Sequence, residues 1–153
     1  LVGSEMCIRD SLIIHGGKQL HGISMDLKNT PDALPILCVA GCMADGTTVL
    51  DNVAGARLKE TDRVSVMTEA LSLMGADISA TENTITIHGG KKLRGCVQDS
   101  HGDHRIAMCA AIAATRCTAP VVIQGGECIE KSYPQFYEDY NRLGGNAHVI
   151  VLE

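Results

Sequence analysis

The apolar residues of this chain follow two spacings, one typical of helices and one typical of strands. Over residues 60–74 they recur every three or four positions, which predicts a helix with a single buried stripe. The same spacing predicts a helix that begins at Pro31 and two more at 104–114 and 133–143. Short β-branched or alternating stretches between them predict strands, which lie at 11–14, 47–53, 77–80, 84–87, 121–123 and 147–151.

The chain contains an internal repeat with an offset of 73 residues. Residues 15–22 read HGGKQLHG, and residues 88–95 read HGGKKLRG. The repeating unit reads strand, helix, strand, helix, strand, strand, which is typical of a repeated α/β unit rather than a solenoid. We therefore predict two units, at about 12–83 and 84–153. Residues 1–11 fit neither unit and are as compatible with a non-native segment as with a native one.

Charged residues are concentrated at or just before the predicted helix starts. The segment 57–63 reads RLKETDR, and the segment 103–105 reads DHR. The repeat is expected to bring corresponding helix starts to equivalent places, where free backbone N–H groups and the helix dipole favour anions. Guanidinium groups add bidentate recognition of carboxylate or phosphate. The sequence therefore predicts a local anion site.

Composition excludes several other classes of function. The net charge of −5 gives no reason to expect nucleic-acid binding, and no apolar run reaches the roughly 18 residues that a membrane span needs. The seven cysteines include no Cys-x-x-Cys pair, so we predict reduced, mostly buried thiols. His101 and His104 have no third ligand nearby in the sequence, so no metal site is predicted.

Several motifs stand in the order and spacing of one known family. They are RLKETDR at 57–63, GDHRIAM at 102–108, KSYPQF at 131–136 and, upstream, Pro31-Asp32-Ala33. Through them the chain resembles the 3-phosphoshikimate 1-carboxyvinyltransferase (5-enolpyruvylshikimate-3-phosphate synthase) family over about residues 12–152. The resemblance implies an α/β fold of the enolpyruvyl transferase inverse α/β barrel type, with βαβαββ units. This chain would be about two units of one lobe, a C-terminal part of a longer enzyme.

The resemblance also implies a reaction. The family transfers the carboxyvinyl group of phosphoenolpyruvate to the 5-hydroxyl of shikimate-3-phosphate and releases phosphate, in chorismate and aromatic amino acid biosynthesis. No cofactor is implied. The other lobe, which carries most shikimate-3-phosphate contacts and a catalytic lysine, would be required, so the chain alone is expected to be inactive. The parent enzyme is expected to be a cytoplasmic monomer, or plastid-located if it comes from a plant.

Matching positions imply roles for particular residues. Asp32 would be the base near the 5-hydroxyl, and Glu60 would transfer a proton at the methylene carbon of phosphoenolpyruvate. Arg57, Asp62 and Asp103 are expected to orient charged neighbours instead. The residues expected to bind substrate, the first of them on the shikimate side, are Lys59, Arg63, His104, Arg105 and Lys131.

Two other interpretations remain open at this point. The sister transferase that acts on UDP-N-acetylglucosamine would share the fold and the phosphoenolpyruvate chemistry. A non-catalytic α/β interaction module would use the same charges only as helix caps and ion pairs, for example between Glu60 and Arg63. The residue two before Arg57 is Gly55, where some family members carry a side chain that contacts substrate, which puts one shikimate-side contact in doubt.

Overall fold

The computed structural model of the chain describes residues 18–150. Its strands are β1 (Ser24–Asp26), β2 (Thr47–Asp51), β3 (Asp77–Ala80), β4 (Thr84–His88), β5 (Val97–Asp99) and β6 (Val122–Gln124). Its α-helices are α1 (Leu34–Met43), α2 (Arg63–Leu73), α3 (His104–Ala114) and α4 (Phe136–Arg142). Short 3-10 helices precede α1, α2 and α4, at Pro31–Ala33, Val53–Leu58 and Gly126–Lys131.

The strands form two sheets, and each contains a parallel pair of strands in the equivalent register. In the first sheet, with the order β1-β2-β4-β3, β1 is parallel to β2 and the other neighbours are antiparallel. In the second sheet, β5 and β6 are parallel. Ser24 pairs with Val49 in the first sheet, and Val97 pairs with Val122 at the same offset of 73 residues in the second. This recurrence confirms the predicted repeat and the α/β class.

The repeat extends to single backbone conformations. Asn52 and Gly125 both adopt the left-handed conformation, with φ of 57° and 67°, and each leads directly into a 3-10 helix. Asn and Gly are the residues that tolerate this conformation best. The two 3-10 helices that follow, Val53–Leu58 and Gly126–Lys131, are therefore equivalent in the repeat. The first carries the start of the RLKETDR segment, and the second ends at Lys131.

The core lies where α1, α2 and α3 pack on one another and where α1 and α2 pack on the first sheet. Its side chains are aliphatic residues, Met, Ala and Cys, as the scarcity of aromatic residues requires. Cys38, Cys42 and Cys109 are buried free thiols, as predicted. Burial raises the pKa of Cys42 to about 11 and that of Cys109 to about 12, so both thiols stay protonated at neutral pH.

The predicted helix over 60–74 is wrong at its start. The helix α2 begins at Arg63, because the Asp62 carboxylate accepts hydrogen bonds from the N–H groups of Val64 and Ser65, both at 3.1 Å. An aspartate in this N-cap position satisfies donors that the first helical turn leaves free. Lys59 and Glu60 therefore lie in a loop before the helix, not on the helix surface.

Other boundaries differ from the prediction by a few residues. β2 ends at Asp51 rather than at 53, because the left-handed Asn52 breaks the extended backbone. α4 begins at Phe136 rather than at 133, since Pro134 disfavours a helical conformation in the residue before it. β1 and β5 were not predicted, because three residues are too few to show alternation. The predicted helix over 104–114 is confirmed.

The predicted strand at 147–151 is wrong over its described part, residues 147–150, which form no strand. In the first unit the corresponding strand β3 is paired only with β4, and residues 147–150 have no such partner strand within residues 18–150. Without that partner, the backbone N–H and C=O groups have no ladder to join. The predicted strand at 11–14, the unassigned residues 1–11 and Val151 lie outside the described residues.

Candidate active site

A buried arginine organises the charged helix starts. Arg63 is the first residue of α2, and its side chain is only 1% exposed. Its Nε and Nη2 groups donate to the two oxygens of Asp103, at 2.7 and 3.2 Å. Nη1 donates to Asp32 at 2.8 Å, and Nη2 also donates to Glu60 at 2.6 Å. One guanidinium group thus holds three carboxylates, and four of its five N–H groups are occupied.

The deepest of these carboxylates, Asp103, joins the two repeats. It is completely buried, and it caps α3 by accepting a hydrogen bond from the N–H of Arg105 at 2.9 Å. It also accepts a hydrogen bond from the Thr61 hydroxyl at 3.3 Å. Burial acts to raise its pKa, but the hydrogen bonds from Arg63 and from the Arg105 backbone outweigh burial and lower it. The residue is therefore a buried anion neutralised by Arg63.

A second carboxylate, Asp32, lies at the open side of the cluster. It follows Pro31 in the short 3-10 helix before α1, and about half of its side chain is exposed. Besides Arg63, it contacts Lys59 Nζ at 3.1 Å and Arg105 Nη2 at 3.7 Å. The hydrogen bond from Lys59 is the main cause of its lowered pKa, and the charges of Arg105 and Arg63 act in the same direction. Asp32 thus carries a negative charge beside three cations.

The accessible charges of the site alternate in sign. Glu60 and Arg105 are nearly half exposed, and Lys59 is about one-third exposed. These accessible groups form the rim of the site. Lys59 and Arg105 can bind an anion there, and the carboxylates of Asp32 and Glu60 can exchange protons with it. The structure thus brings together five of the predicted residues, which are Asp32, Lys59, Glu60, Arg63 and Arg105.

The remaining two predicted residues flank this cluster at the start of α3. Lys131 ends the 3-10 helix Gly126–Lys131, and its Nζ donates to the backbone carbonyl of Gly102 at 3.0 Å. His104 is the first residue of α3, and its Nδ1 is buried with no hydrogen-bond partner in the described part of the chain. Neither side chain forms a hydrogen bond or ion pair with the five clustered residues. Both contact or belong to the segment 102–104, which contains Asp103.

An ion pair of the kind expected for an interaction module is present, but its arginine is buried, whereas a surface pair would leave both side chains exposed. Arg63 and Glu60 do form an i, i+3 pair, yet Arg63 is inaccessible to solvent. A surface pair would hold both side chains in water, where it contributes little. Sequence reasoning placed Asp103 correctly beside a charged neighbour, but nothing in the local sequence showed that the neighbour would be Arg63, 40 residues away.

Within residues 18–150, none of the helices combines the length and the hydropathy that a membrane span requires. The same residues include no group of three or more His, Cys, Asp or Glu side chains arranged to hold a metal ion.

The lowered pKa values predict a loss of stability in acid. A carboxylate whose pKa is lower in the folded than in the unfolded chain stabilises the fold above its ordinary pKa, about 3.9, and this contribution disappears as the pH falls through the lower folded value. Asp103, Asp62 and Asp32 are all of this kind. We expect the free energy of unfolding in urea to fall steadily below about pH 4. A constant value from pH 7 down to pH 2.5 would contradict this assignment.

Comparison with known protein families gives one consistent match. A family model described as EPSP synthase (3-phosphoshikimate 1-carboxyvinyltransferase) matches residues 3–140. A 3-phosphoshikimate 1-carboxyvinyltransferase from Clostridium acetobutylicum is 45% identical over 128 residues, which are 84% of this chain and 30% of the relative. One from Clostridium novyi is 47% identical over 125 residues, 82% of this chain and 29% of the relative. The chain therefore spans about 30% of the length of these relatives.

Solved structures show the same likeness. An EPSP synthase from Acinetobacter baumannii superimposes with a TM-score of 0.79 at 38% identity, over 84% of this chain and 31% of that chain. The enolpyruvyl transferase NikO from Streptomyces tendae gives a TM-score of 0.66 at 17% identity, over 84% of this chain and 29% of that chain, which is a likeness of fold alone. These likenesses confirm the predicted enolpyruvyl transferase fold, of which the chain supplies a part.

Proposed function

The chain belongs to the EPSP synthase (3-phosphoshikimate 1-carboxyvinyltransferase) family, and we propose that it is part of an enzyme that transfers the carboxyvinyl group of phosphoenolpyruvate to the 5-hydroxyl of shikimate-3-phosphate. Phosphate is the second product. The main structural support is the convergence of two accessible carboxylates, Asp32 and Glu60, on the same guanidinium group, with the cations Lys59 and Arg105 beside them.

The cations suit substrates that carry several negative charges. Arg105 is the more accessible arginine of the cluster and is proposed to bind phosphoenolpyruvate bidentately. Arg63 is also proposed to bind phosphoenolpyruvate; because its side chain is only 1% exposed, the substrate would have to reach the one N–H group of Nη1 that no carboxylate occupies. The other flanking residues, His104 and Lys131, are proposed to bind the same substrate from the start of α3. Lys59, in contact with Asp32, is proposed to lie on the shikimate side.

The two accessible carboxylates are proposed to move the protons. In the addition step, oxygen of the 5-hydroxyl bonds to C2 of phosphoenolpyruvate, its proton passes to Asp32, and the methylene carbon gains a proton from Glu60. In the elimination step, the bond between C2 and the phosphate oxygen breaks, the leaving phosphate takes the proton that Asp32 had accepted, and a proton returns from the methyl carbon to Glu60, which restores the double bond. The contact of Asp32 with Lys59 and Arg63 keeps it ionised before the addition.

We propose that this chemistry needs protein beyond the present chain. The chain covers about 30% of its clostridial relatives, and its two units, at about 12–83 and 84–153, would form part of one lobe. A second lobe would bring most shikimate-3-phosphate contacts and a further catalytic lysine. The complete enzyme is proposed to act as a monomer in the cytoplasm, where reduced thiols such as those of Cys38 and Cys109 persist.

Phosphate release tests the proposal. The assay compares this chain alone with a complete enzyme, either its full-length parent or a chimera in which the chain replaces the matching part of the Clostridium acetobutylicum relative. We expect phosphate from phosphoenolpyruvate plus shikimate-3-phosphate only with the complete enzyme. Release with UDP-N-acetylglucosamine instead would establish the sister transferase. Release with neither acceptor would support the non-catalytic module, and turnover by the chain alone would contradict the need for a second lobe.

A further inference from the structure

The loop that carries Lys59 and Glu60 has little packing of its own. It runs from the end of the 3-10 helix Val53–Leu58 to the N-cap of α2. Its apolar residue, Leu58, is 87% exposed and so contributes little burial. Between the two ends of the loop, three side-chain contacts join it to the site, those of Lys59 with Asp32, of Glu60 with Arg63 and of Thr61 with Asp103. Hydrophobic contact therefore cannot account for a fixed position of Glu60, and another restraint is needed.

Arg57 supplies that restraint by closing the loop at its base. Its Nη1 donates to both oxygens of Asp62, at 2.8 and 3.2 Å, and to the Ser65 hydroxyl at 3.2 Å. Asp62 caps α2 at the same time. The ion pair therefore joins the residue before the loop to the residue after it, and both ends of the loop are fixed to the start of α2.

The other two nitrogens of Arg57 reach a different element. Nε donates to the carbonyl oxygen of Glu82 at 3.1 Å, and Nη2 donates to that of Thr81 at 2.7 Å. These carbonyls belong to the turn between β3 and β4. The turn is itself anchored to the 3-10 helix Val53–Leu58, because the carbonyl oxygen of Asn83 accepts a hydrogen bond from the N–H of Val53 at 3.2 Å. All three guanidinium nitrogens are thus used, on the start of α2 and on the turn between β3 and β4.

We propose that Arg57 is a positioning residue for the transfer reaction, one that holds Glu60 in place by closing its loop against α2 and the β3–β4 turn. The inference rests on the proposed function, because it gives Glu60 a reaction to serve. Only a guanidinium group has the planar fork needed to bond a carboxylate on one side and two carbonyls on the other. A lysine would keep the charge but would have one nitrogen with which to replace three. Arg57 itself touches no substrate in this scheme.

The decisive experiment is Arg57→Lys in the complete enzyme, with and without Glu60→Gln. Misplacement of a reacting group by about 1 Å can cost about 100-fold in rate, so we expect kcat to fall by about 10- to 100-fold and KM to change by less than about threefold. In the Glu60→Gln enzyme the same change is expected to cost less than about threefold in kcat, since the proton transfer that Arg57 serves is already lost. A purely structural role would lower kcat equally in both backgrounds.

Arg94→Lys is the matched control. Arg94 also donates its Nε to a backbone carbonyl, that of Leu73 at 3.2 Å, but it does so at the other end of α2. The Arg94→Lys substitution is expected to leave kcat unchanged. If Arg57→Lys fails to fold, Asp62→Asn decides the question, because asparagine keeps the helix cap but loses the ion pair with Arg57, and it is expected to show the same loss of kcat.

The possible results separate this inference from the proposed function. No transfer by the unsubstituted enzyme overturns the proposed function and this inference with it. Transfer by that enzyme, together with wild-type kcat in Arg57→Lys or in Asp62→Asn, overturns this inference alone. An equal loss of kcat on Arg57→Lys, whether or not Glu60→Gln is also present, does the same, since Arg57 would then act independently of Glu60.

Discussion

Arg63→Ala is expected to lower the free energy of unfolding by about 3–5 kcal/mol, because it leaves a buried carboxylate without its counter-ion. Asp103 is completely buried and receives two hydrogen bonds from Arg63. Without the guanidinium, Asp103 must either stay charged in the interior or take up a proton. The substitution would also remove the two hydrogen bonds by which the first residue of α2 holds the N-cap of α3. Urea unfolding of the Arg63→Ala variant and of the unsubstituted chain at pH 7 measures this difference in the free energy of unfolding.

Arg142→Ala is the matched control for this first prediction. Arg142 also forms an i, i+3 ion pair, with Asp139 at 3.1 Å, but its side chain is 76% exposed. Exposed pairs contribute about 1 kcal/mol or less, so this variant is expected to unfold almost like the unsubstituted chain. A loss below about 1 kcal/mol for Arg63→Ala would show that the buried pair does not hold the two helix starts together.

Glu60→Gln is expected to lower kcat of the complete enzyme by about 10²- to 10⁴-fold, the usual contribution of a general acid or base. The amide is nearly the same shape as the carboxylate, and its oxygen can still accept the hydrogen bond from Arg63 Nη2. What it cannot do is exchange a proton with the methylene carbon of phosphoenolpyruvate. KM is therefore expected to change much less than kcat, and steady-state phosphate release at varied phosphoenolpyruvate measures both.

Glu69→Gln provides the comparison for this second prediction. Glu69 is an exposed acid on α2, two turns beyond the site, so the substitution removes the same charge without touching the cluster. It is expected to leave both kinetic constants unchanged. If Glu60→Gln turned over at the same rate as Glu69→Gln, Glu60 would not be a proton-transfer residue, and its contact with Arg63 would be only structural.

Local patterns in the sequence were sufficient for much of the fold. The spacing of apolar residues placed α3 at the correct residues and located the β3–β4 hairpin, because both elements are long enough to show their period. The pattern was insufficient where capping and turn geometry decide the boundary. Lys59 and Glu60 belong to the same charged segment as Arg63, the first residue of α2. They nevertheless lie before the helix, because Asp62 is its N-cap.

The sequence by itself determined which chemical groups are present and that they lie near helix starts. The 73-residue repeat and the RLKETDR and DHR segments carry this information locally, so a linear reading could find it. Only the tertiary structure decided which group is buried and which is accessible. Arg63 and Arg105 look alike as arginines near helix starts, but packing of α3 against α2 places Asp103 under Arg63 and leaves Arg105 at the rim. Burial and charge pairing depend on contacts some 40 residues apart in sequence, and no local spacing encodes them.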